Sequence, residues 1–503
     1  MRYVVTLAIA VALCSSCSRR PGETSSVREQ TTQSTGTAAR LSEEPPANTF
    51  EHPALQERLV HEKWQGDLDG IVKRRILRVL VAPNKLGFYF DGSEIHGAAY
   101  EFCREFERFL NHKLHTGNLA VHLHFVPIGR DSLLPKLADG YGDLIATMMV
   151  TPSQPQFAVD FAEPLYDDAK AVIVSGRGEQ LSRLEDLSGR EVYYFSNTTS
   201  YEKLRRLSED LQRNGKPPIR LTPAAPDLRV GDLLEMVNAG LVPMTVAEEQ
   251  VAQAWAKVLP NLKIHSQIVV AANPLAWVVQ PNTPQLKSVV NEFIRNHKIG
   301  TLYGNTLRDK YLGNIKWVKD AIAGEDLAHF EQMVHLFHTY GEKYEFPYLL
   351  LAAQAYQESG LNQRLRSKAG AVGVMQIKPS TASADPIDIT GVDKLDHNIE
   401  AGAKYLRYMV THYYANEPMD QMTKGLFALA SYNAGPDRIE KLRPVAAKEG
   451  YDPNRWFNNV EFVAATEIGA ETPNYVGNVY KYYLAYKMTT EQDARRRASR
   501  SGR

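Results

Sequence analysis

The stretch from residue 348 to residue 360 constrains this chain most, because its composition fits only a buried helix. Its letters, YLLLAAQAYQESG, leave almost no polar face. Pro347 suits the first turn, where its missing N–H is not needed, and Gly360 marks the C-terminal end. Glu358 therefore lies in the last turn of a buried helix.

Two effects are predicted to raise the pKa of Glu358. Burial disfavours the charged carboxylate, and the negative end of the helix dipole disfavours it further. A carboxylic acid that stays protonated near neutral pH is what acid-catalysed glycoside cleavage requires. A lone Glu at a helix end is more often solvated surface, so the residues that follow it decide between the two interpretations.

Three further motifs follow the pair Glu358-Ser359: GVMQ at 373–376, YNAG at 432–435 and ETPNYV at 471–476. In order and spacing, these motifs resemble those of the lytic transglycosylases with a soluble-transglycosylase (goose-lysozyme-like) catalytic domain. Four motifs in one order over roughly 120 residues are a specific signal, where any single one is weak. The resemblance implies an all-α lysozyme-like domain, which we place at residues 327–488.

The helices of this second domain are predicted from apolar periodicity. The predicted spans are 327–344, 398–414 with Asn398 as its cap, 422–432 and 474–486. The helix at 422–432 delivers the YNAG motif to the site. The helix at 474–486 is rich in tyrosine and closes the domain.

The resemblance also implies a reaction. The family cleaves the β-1,4 bond between N-acetylmuramic acid and N-acetylglucosamine without water and leaves a 1,6-anhydro ring. Glu358 is expected to protonate the glycosidic oxygen and then, as a carboxylate, to take the proton of the C6 hydroxyl that attacks C1. Tyr432 is expected to hydrogen-bond near Glu358 and orient it, and Glu471 to fix the active-site loops. The residues expected in the sugar subsites are Ser359, Met375, Gln376 and Asn433.

Two other functions stay open at this point. A hydrolytic muramidase would use the same Glu358 with water as the nucleophile. It needs a second acid to hold that water, and the sequence does not place the candidates Asp385, Asp388 or Glu471. A periplasmic solute-binding or sensor protein with an inactive wall-binding domain is the other alternative. The intact Glu358, GVMQ and YNAG favour the transglycosylase.

Strands and helices alternate between residues 76 and 312, which predicts α/β layers. The runs GDLIA at 142–146, TP at 151–152 and DFAEPLY at 160–166 resemble the family-3 solute-binding domains of periplasmic receptors. The resemblance implies two lobes joined by two crossovers, with ligand in the cleft. The predicted architecture is a two-lobed α/β periplasmic-binding-protein-like domain followed by an all-α lysozyme-like domain.

The ligand of this first domain stays open. Amino-acid-binding members place an Arg shortly after the Thr-Pro pair to clamp the ligand carboxylate, but no Arg lies between Thr151 and Asp160. A second usual acid is replaced by Val242-Pro243. The domain then binds another ligand, such as a muropeptide or an amino-acid-like compound, or serves a structural or regulatory role. The cleft candidates, which suit helix caps and turns equally well, are Thr151, Thr198, Thr199 and Glu248.

The N-terminus predicts a lipoprotein signal peptide at residues 1–17. Arg2 precedes an apolar run that is too short to span a bilayer, and small residues stand just before Cys17. The pattern resembles a bacterial lipobox, although Cys14 stands where Leu is commonest. We expect Cys17 to be acylated and to anchor the chain to the periplasmic face of the outer membrane, a location that Ser18 suits. The alternative is an ordinary secreted protein.

Three other segments are predicted to lie outside the folded domains. Residues 18–75 form a disordered tether and lead-in, because 18–48 is rich in Ser, Thr, Gly and Pro with few apolar residues. Residues 313–326 form a linker between the two domains. Residues 489–503 form a disordered basic tail.

Composition bears on the remaining partners. With 58 basic and 58 acidic residues the formal net charge is zero, so no global field draws the chain to nucleic acid. Cys103, the one thiol that remains if the signal peptide is removed and Cys17 is acylated, is predicted to be a small core residue. His335 and His338 share a helix face, but no Cys or carboxylate cluster accompanies them, so we expect no metal site and no cofactor.

Overall fold

The computed structural model of the chain describes residues 59–84, 86–92, 94–150, 157–196, 198–225, 227–312 and 326–501. The side chains of 326–332, 488–489 and 491–501 are not described. Several predictions lie outside these residues: the signal peptide, acylation of Cys17, most of the tether, the cleft candidate Thr151 and nearly all of the linker at 313–326.

The first domain alternates strands and helices, as the sequence predicts. Its strands are Ile76–Val81 (β1), Tyr89–Asp91 (β2), Glu94–His96 (β3), His122–Pro127 (β4), Leu144–Val150 (β5), Asp160–Ser175 (β6), Glu191–Tyr194 (β7), Arg220–Pro223 (β8), Met244–Glu248 (β9) and Lys263–Val279 (β10). Its helices are Leu68–Arg74 (α1), Ala98–Leu114 (α2), Leu133–Ala138 (α3), Thr199–Arg213 (α4), Val230–Asn238 (α5), Glu249–Ala256 (α6), Pro284–His297 (α7) and Leu302–Leu312 (α8).

Two long antiparallel strands, β6 and β10, join two lobes of this domain. The main sheet has the order β4-β1-β5-β10-β6-β9-β7-β8, with β1 parallel to both β4 and β5 and with β7 parallel to both β8 and β9. β5 pairs with the C-terminal part of β10, and β9 pairs with the C-terminal part of β6. Each lobe therefore lies at one end of the same strand pair: β1, β4 and β5 belong to the first lobe, and β7, β8 and β9 belong to the second. The predicted two-lobed α/β fold is confirmed.

Each lobe has its own core. Phe106, Trp277 and Phe293 pack together in the first lobe, where Cys103 is also fully buried as predicted. Leu187, Val192, Leu204 and other aliphatic residues fill the second.

The first domain begins before residue 76, where the sequence analysis placed its start. Arg78 is fully buried and pairs with Asp143, and its guanidinium donates to the carbonyls of Glu62 and Trp64. A buried guanidinium requires partners for its donors. The lead-in is thus bound to the sheet from about residue 59.

The second domain is helical. Its helices are Asp326–Lys343 (α9), Tyr348–Ser359 (α10), Pro379–Ser383 (α11), Leu395–Tyr413 (α12), Gln421–Ala434 (α13), Pro436–Lys448 (α14), Glu461–Ile468 (α15) and Glu471–Ser501 (α16). The all-α domain is confirmed.

Asn398 lies one turn inside α12 rather than at its cap. α16 continues to Ser501, where the sequence predicted a disordered tail from residue 489. Between residues 489 and 501 that segment contains four Arg and two Ala, which favour a helix. None of the helices in the described part of the chain is long and apolar enough to cross a membrane.

The two domains share a buried interface. Leu233, Met236 and Val237 of α5 belong to the same hydrophobic cluster as the core of the helical domain. Within this interface Lys481 of α16 is 1% exposed, hydrogen-bonds Glu235 and lies 3.2 Å from Asp232, both on α5. A charge buried this deeply is tolerated because it is paired.

The helical domain also contacts the first lobe. The hydroxyl of Tyr451 donates to the carbonyl of Pro127, at the end of β4, over 2.9 Å. The N–H of Gly92, in the turn between β2 and β3, donates to the carbonyl of Ala465 on α15 over 3.0 Å. The helical domain therefore packs on both lobes.

Candidate active site

Helix α10 places Glu358 at the edge of the core. Leu350, Leu351 and four further residues of α10 are completely buried, which fixes the helix against α9 and α16, and Leu350 also packs against Gly425 of α13. Gly360 ends the helix with φ +60°, a conformation that glycine adopts without strain, and its N–H donates to the carbonyl of Tyr356. The apolar helix and its end at Gly360 are as the sequence predicts. Glu358 is partly buried in the last turn.

Tyr475, on the first turns of α16, is the hydrogen-bond partner of Glu358. Its hydroxyl donates to Glu358 Oε1 over 2.7 Å. Burial raises the pKa of Glu358 to about 7, while the bond from Tyr475 lowers it. Burial is the larger effect, since few water molecules reach the carboxylate. Burial also raises the pKa of Tyr475 well above its usual value, and the nearby Glu358 adds to this. Tyr475 therefore stays a neutral donor.

Ser359 ties the end of α10 to the GVMQ loop. Its hydroxyl lies 2.9 Å from the carbonyl oxygen of Val374 and 3.2 Å from that of Ala355, and it accepts from the N–H of Asn362 over 3.1 Å. These contacts position the loop beside Glu358. A role for Ser359 in a sugar subsite stays a prediction.

Two side chains hydrogen-bond the backbone of the GVMQ loop and hold it in place. Asn398 is completely buried: its Oδ1 accepts from the N–H of Met375 over 2.8 Å, and its Nδ2 donates to the carbonyls of Val372 and Val392. Gln363 Oε1 accepts from the N–H of Val374 over 3.0 Å. These bonds give the loop's buried backbone the partners that it needs.

The last two residues of GVMQ face different ways. The side chain of Met375 is completely buried and packs against Gly402, so the part of it available to the site is its backbone. The side-chain Nε2 of Gln376 donates to the carbonyl of Gly373 over 2.8 Å, and its backbone has φ +48°. Their predicted subsite roles stay predictions.

The YNAG and ETPNYV motifs meet through hydroxyl groups. Tyr432 donates to the carbonyl of Met375 over 2.7 Å, so it supports the loop, and Tyr475 takes the position beside Glu358 that the sequence analysis expected for Tyr432. Thr472 donates to Asn433 Oδ1 over 2.6 Å. Glu471 is exposed in the first turn of α16.

Sequence reasoning named no role for Tyr475, Thr472 or Gln363, and gave Asn398 only the role of a cap. Tyr475 and Thr472 stand inside the ETPNYV motif, so the motif itself was the signal. Asn398 and Gln363 carry no such mark, because their bonds reach backbone groups that only the folded loop brings near.

Three of the four cleft candidates, Thr198, Thr199 and Glu248, line a cavity of about 1680 Å³ that residues of both lobes and of the helical domain surround. Thr198 caps α4, accepting from the N–H of Tyr201 and donating to the carbonyl of Phe195. Thr199 accepts from Nδ2 of Asn273, on β10, over 3.0 Å. Glu248 is partly buried at the junction of β9 and α6.

Known proteins resemble both parts of the chain. The family model "Bacterial extracellular solute-binding proteins, family 3" matches residues 77–314, and the model "Transglycosylase SLT domain" matches residues 335–453. A protein of Desulfosudis oleivorans named membrane-bound lytic murein transglycosylase F is 26% identical over 433 residues, covering 80% of this chain and 88% of its own length. One of the same name from Vibrio cholerae is 26% identical, covering 83% of this chain and 81% of its own.

The chain therefore joins a family-3 solute-binding domain to a transglycosylase SLT domain, and it is similar to lytic murein transglycosylases along 80% of its length. Solved structures resemble the first domain of the transglycosylase. One is an amino acid ABC transporter substrate-binding protein from Streptococcus pneumoniae bound to L-arginine, 19% identical with a TM-score of 0.38, which covers 49% of this chain and 96% of its own. In the described part of the transglycosylase, no group of three or more His, Cys, Asp or Glu could hold a metal ion.

Substituting Gly373 by alanine should disrupt the active-site loop. The residue has φ +75°, and an added Cβ would come within 2.6 Å of both Asn398 Nδ2 and Gln363 Oε1. Strain and overlap together should lower the free energy of unfolding by about 2 to 4 kcal/mol. Urea denaturation measures this.

The matched control is Gly370→Ala. Gly370 has φ +83°, but an added Cβ meets nothing within 4 Å. It should lose only about 1 kcal/mol, from backbone strain. Equal losses in the two variants would contradict the role given to the clash.

Proposed function

We propose that this transglycosylase cleaves the β-1,4 bond between N-acetylmuramic acid and N-acetylglucosamine in peptidoglycan, with Glu358 as its acid and base. The observation that supports this proposal is the pKa of Glu358, which burial raises to about 7. At that pKa the carboxyl group holds a proton in an appreciable fraction of molecules at neutral pH and also releases it readily.

The reaction then needs one carboxyl group. Protonated Glu358 donates to the glycosidic oxygen as the bond from that oxygen to C1 breaks. The resulting carboxylate accepts the proton of the C6 hydroxyl as its oxygen bonds to C1, which closes the 1,6-anhydro ring and restores the acid. Tyr475 hydrogen-bonds the carboxylate between the two steps. No water is consumed.

The hydrolytic alternative needs a second carboxylate near Glu358. Such a neighbour would raise the pKa of Glu358 further by repulsion. Burial and Tyr475 alone account for the shift, with no contribution from Asp385, Asp388 or Glu471. The absence of such a repulsion favours the substrate's own C6 hydroxyl as the nucleophile.

The products of digestion test this proposal. Purified peptidoglycan digested with the full chain should yield anhydro-muropeptides by mass spectrometry, and Glu358→Gln should yield none, because its amide cannot donate the proton. Products one water heavier would mean a muramidase. Products unchanged in Glu358→Gln would remove Glu358 from the mechanism.

The pH dependence follows from the pKa of Glu358. Because the starting form is the acid, kcat/KM should fall about tenfold for each pH unit above about 7. We call this fall of kcat/KM at high pH the alkaline limb of the pH profile. Tyr475→Phe removes the bond that lowers the pKa of Glu358, so the alkaline limb should move to higher pH. Initial rates measured from pH 5 to 9 give the alkaline limb of the wild-type chain and that of Tyr475→Phe.

The matched control is Tyr432→Phe. Tyr432 hydrogen-bonds the carbonyl of Met375 and not Glu358. Its loss should leave the alkaline limb where it is, whatever its effect on the rate. A limb that moves equally in both variants would contradict the specific role given to Tyr475.

For the first domain we propose a regulatory, ligand-sensing role with a muropeptide or amino-acid-like compound as ligand. Two contacts support a coupling between this domain and the active site. Tyr451 hydrogen-bonds the carbonyl of Pro127 in the first lobe, and Lys481 pairs with Glu235 in the second. A closure of the lobes would therefore act on α16, which carries Tyr475.

Soluble anhydro-muropeptides test binding and coupling separately. Binding should raise the melting temperature of the full chain, and Asn273→Ala in the cleft should weaken that shift. Coupling predicts that the same fragments change the rate of cleavage. A rate that stays constant while the melting temperature rises would leave binding intact and contradict coupling.

We also propose that residues 1–17 are a lipoprotein signal peptide and that acylated Cys17 anchors the chain to the periplasmic face of the outer membrane. The apolar run and the small residues before Cys17 support this. Cells fed a labelled fatty acid should label the wild-type chain and not Cys17→Ser. Labelling of both would contradict it.

A further inference from the structure

Gln354 stands out in α10 because it is polar where its neighbours are not. It is completely buried, and Leu350, Leu351, Ala353 and Ala355 around it in sequence are also completely buried. A primary amide withdrawn from water costs free energy unless its donors and acceptor find partners. The location of Gln354 therefore needs an explanation that packing alone does not give.

The amide of Gln354 lies one helical turn before Glu358. Residues four apart lie on the same face of a helix, so both side chains point towards the same neighbours. Neither Nε2 nor Oε1 of Gln354 makes a well-formed hydrogen bond in this structure. The amide is nevertheless close enough to Tyr475 to lower the pKa of that phenol.

Tyr475 has an unused acceptor. Its single hydroxyl proton goes to Glu358 Oε1, which leaves the lone pairs of its oxygen for another donor. The primary amide of Gln354 carries two N–H donors and lies beside that oxygen. A hydrogen bond from this amide to the Tyr475 oxygen would complete a relay from Gln354 through Tyr475 to Glu358.

The other groups around this relay are neutral tyrosines. Tyr432 of α13 faces both Glu358 and Tyr475, and Tyr405 of α12 packs against Tyr432 with ring centroids 5.4 Å apart. Burial raises the pKa of Tyr432 well above its usual value. Among the described residues, no charged side chain contributes to the pKa shift of Glu358.

We propose that Gln354 is a positioning residue for Glu358, and that its amide donates to the Tyr475 oxygen while Glu358 is a carboxylate. The proposal rests on the catalytic role proposed for Glu358. Hydrogen bonds in a chain polarise one another, so a donor to Tyr475 makes its hydroxyl a stronger donor to the carboxylate. Gln354 thereby stabilises the form of Glu358 that accepts the C6 proton.

Gln354→Met tests this in the full chain. Methionine has nearly the same shape but no amide, so the carboxylate loses support. The alkaline limb of kcat/KM should move to higher pH, and kcat should fall about fivefold. The melting temperature should stay or rise, because an apolar group replaces an incompletely paired amide.

A merely structural role predicts the reverse pattern: a lower melting temperature with an unmoved limb. Leu351→Met is the control, since it makes a volume-conserving change at a fully buried position of the same helix. It should leave the limb unmoved.

The double variant Gln354→Met/Tyr475→Phe shows whether Gln354 acts through Tyr475. With Tyr475 unable to donate, the methionine should cause no further shift of the limb. A further shift equal to that in the wild-type background would overturn the relay.

If Gln354→Met keeps the wild-type alkaline limb and the wild-type kcat while Glu358→Gln is inactive, the inference about Gln354 is overturned and the proposed function stands. Full activity of Glu358→Gln would instead overturn the proposed function. A titration of the Glu358 carboxyl by carbon-13 NMR gives its pKa without turnover. An equal pKa in the chain and in Gln354→Met would also overturn the inference.

Discussion

The hydrogen bond from Tyr475 to Glu358 is the contact on which the proposed chemistry depends. A pKa of about 7 rather than 4.5 means that the surroundings disfavour the ionised form of Glu358 by roughly 3 kcal/mol. Deeper burial without a donor would raise the pKa further and leave a carboxyl group that cannot act as a base. Full exposure would lower it and leave no acid. The phenol allows the helix to be buried while both protonation states remain accessible.

The rest of the site keeps that carboxyl group in place. α10 is held by its apolar sides, and α16 brings Tyr475 to its end. Asn398 accepts from the N–H of Met375 in the GVMQ loop, and Tyr432 donates to the carbonyl of the same residue. Because Ser359 of α10, Asn398 of α12 and Tyr432 of α13 each hydrogen-bond the backbone of the loop, the position of the loop depends on how these three helices pack.

Local patterns predicted a good part of this arrangement. The run of aliphatic residues, Pro347 and Gly360 fixed the limits of α10, and with them the location of Glu358 in a buried last turn. The alternation of strands and helices predicted the two-lobed α/β domain. Both signals lie within a few residues of the feature that they predict.

What the sequence did not reveal depends on contacts between distant residues. Tyr475 reaches Glu358 across 117 positions, and Tyr432, the tyrosine expected there, instead bonds the carbonyl of Met375. Both residues are tyrosines on helices that meet α10, so type and spacing do not tell them apart. Asn398 looked like a cap because asparagine favours caps, but helix α12 begins three residues earlier and turns its side chain to the loop.

The ion pair of Lys481 with Glu235 and Asp232 has a consequence for how such chains change over generations. The three residues lie in two domains, and the charges of Lys481 and Glu235 are buried only because the other domain supplies the counter-ion. A gene fusion that exchanged either domain for an unrelated one would leave a charged group against apolar surface. The two modules are therefore constrained to be inherited together, and substitutions on α5 and α16 should accumulate in compensating pairs.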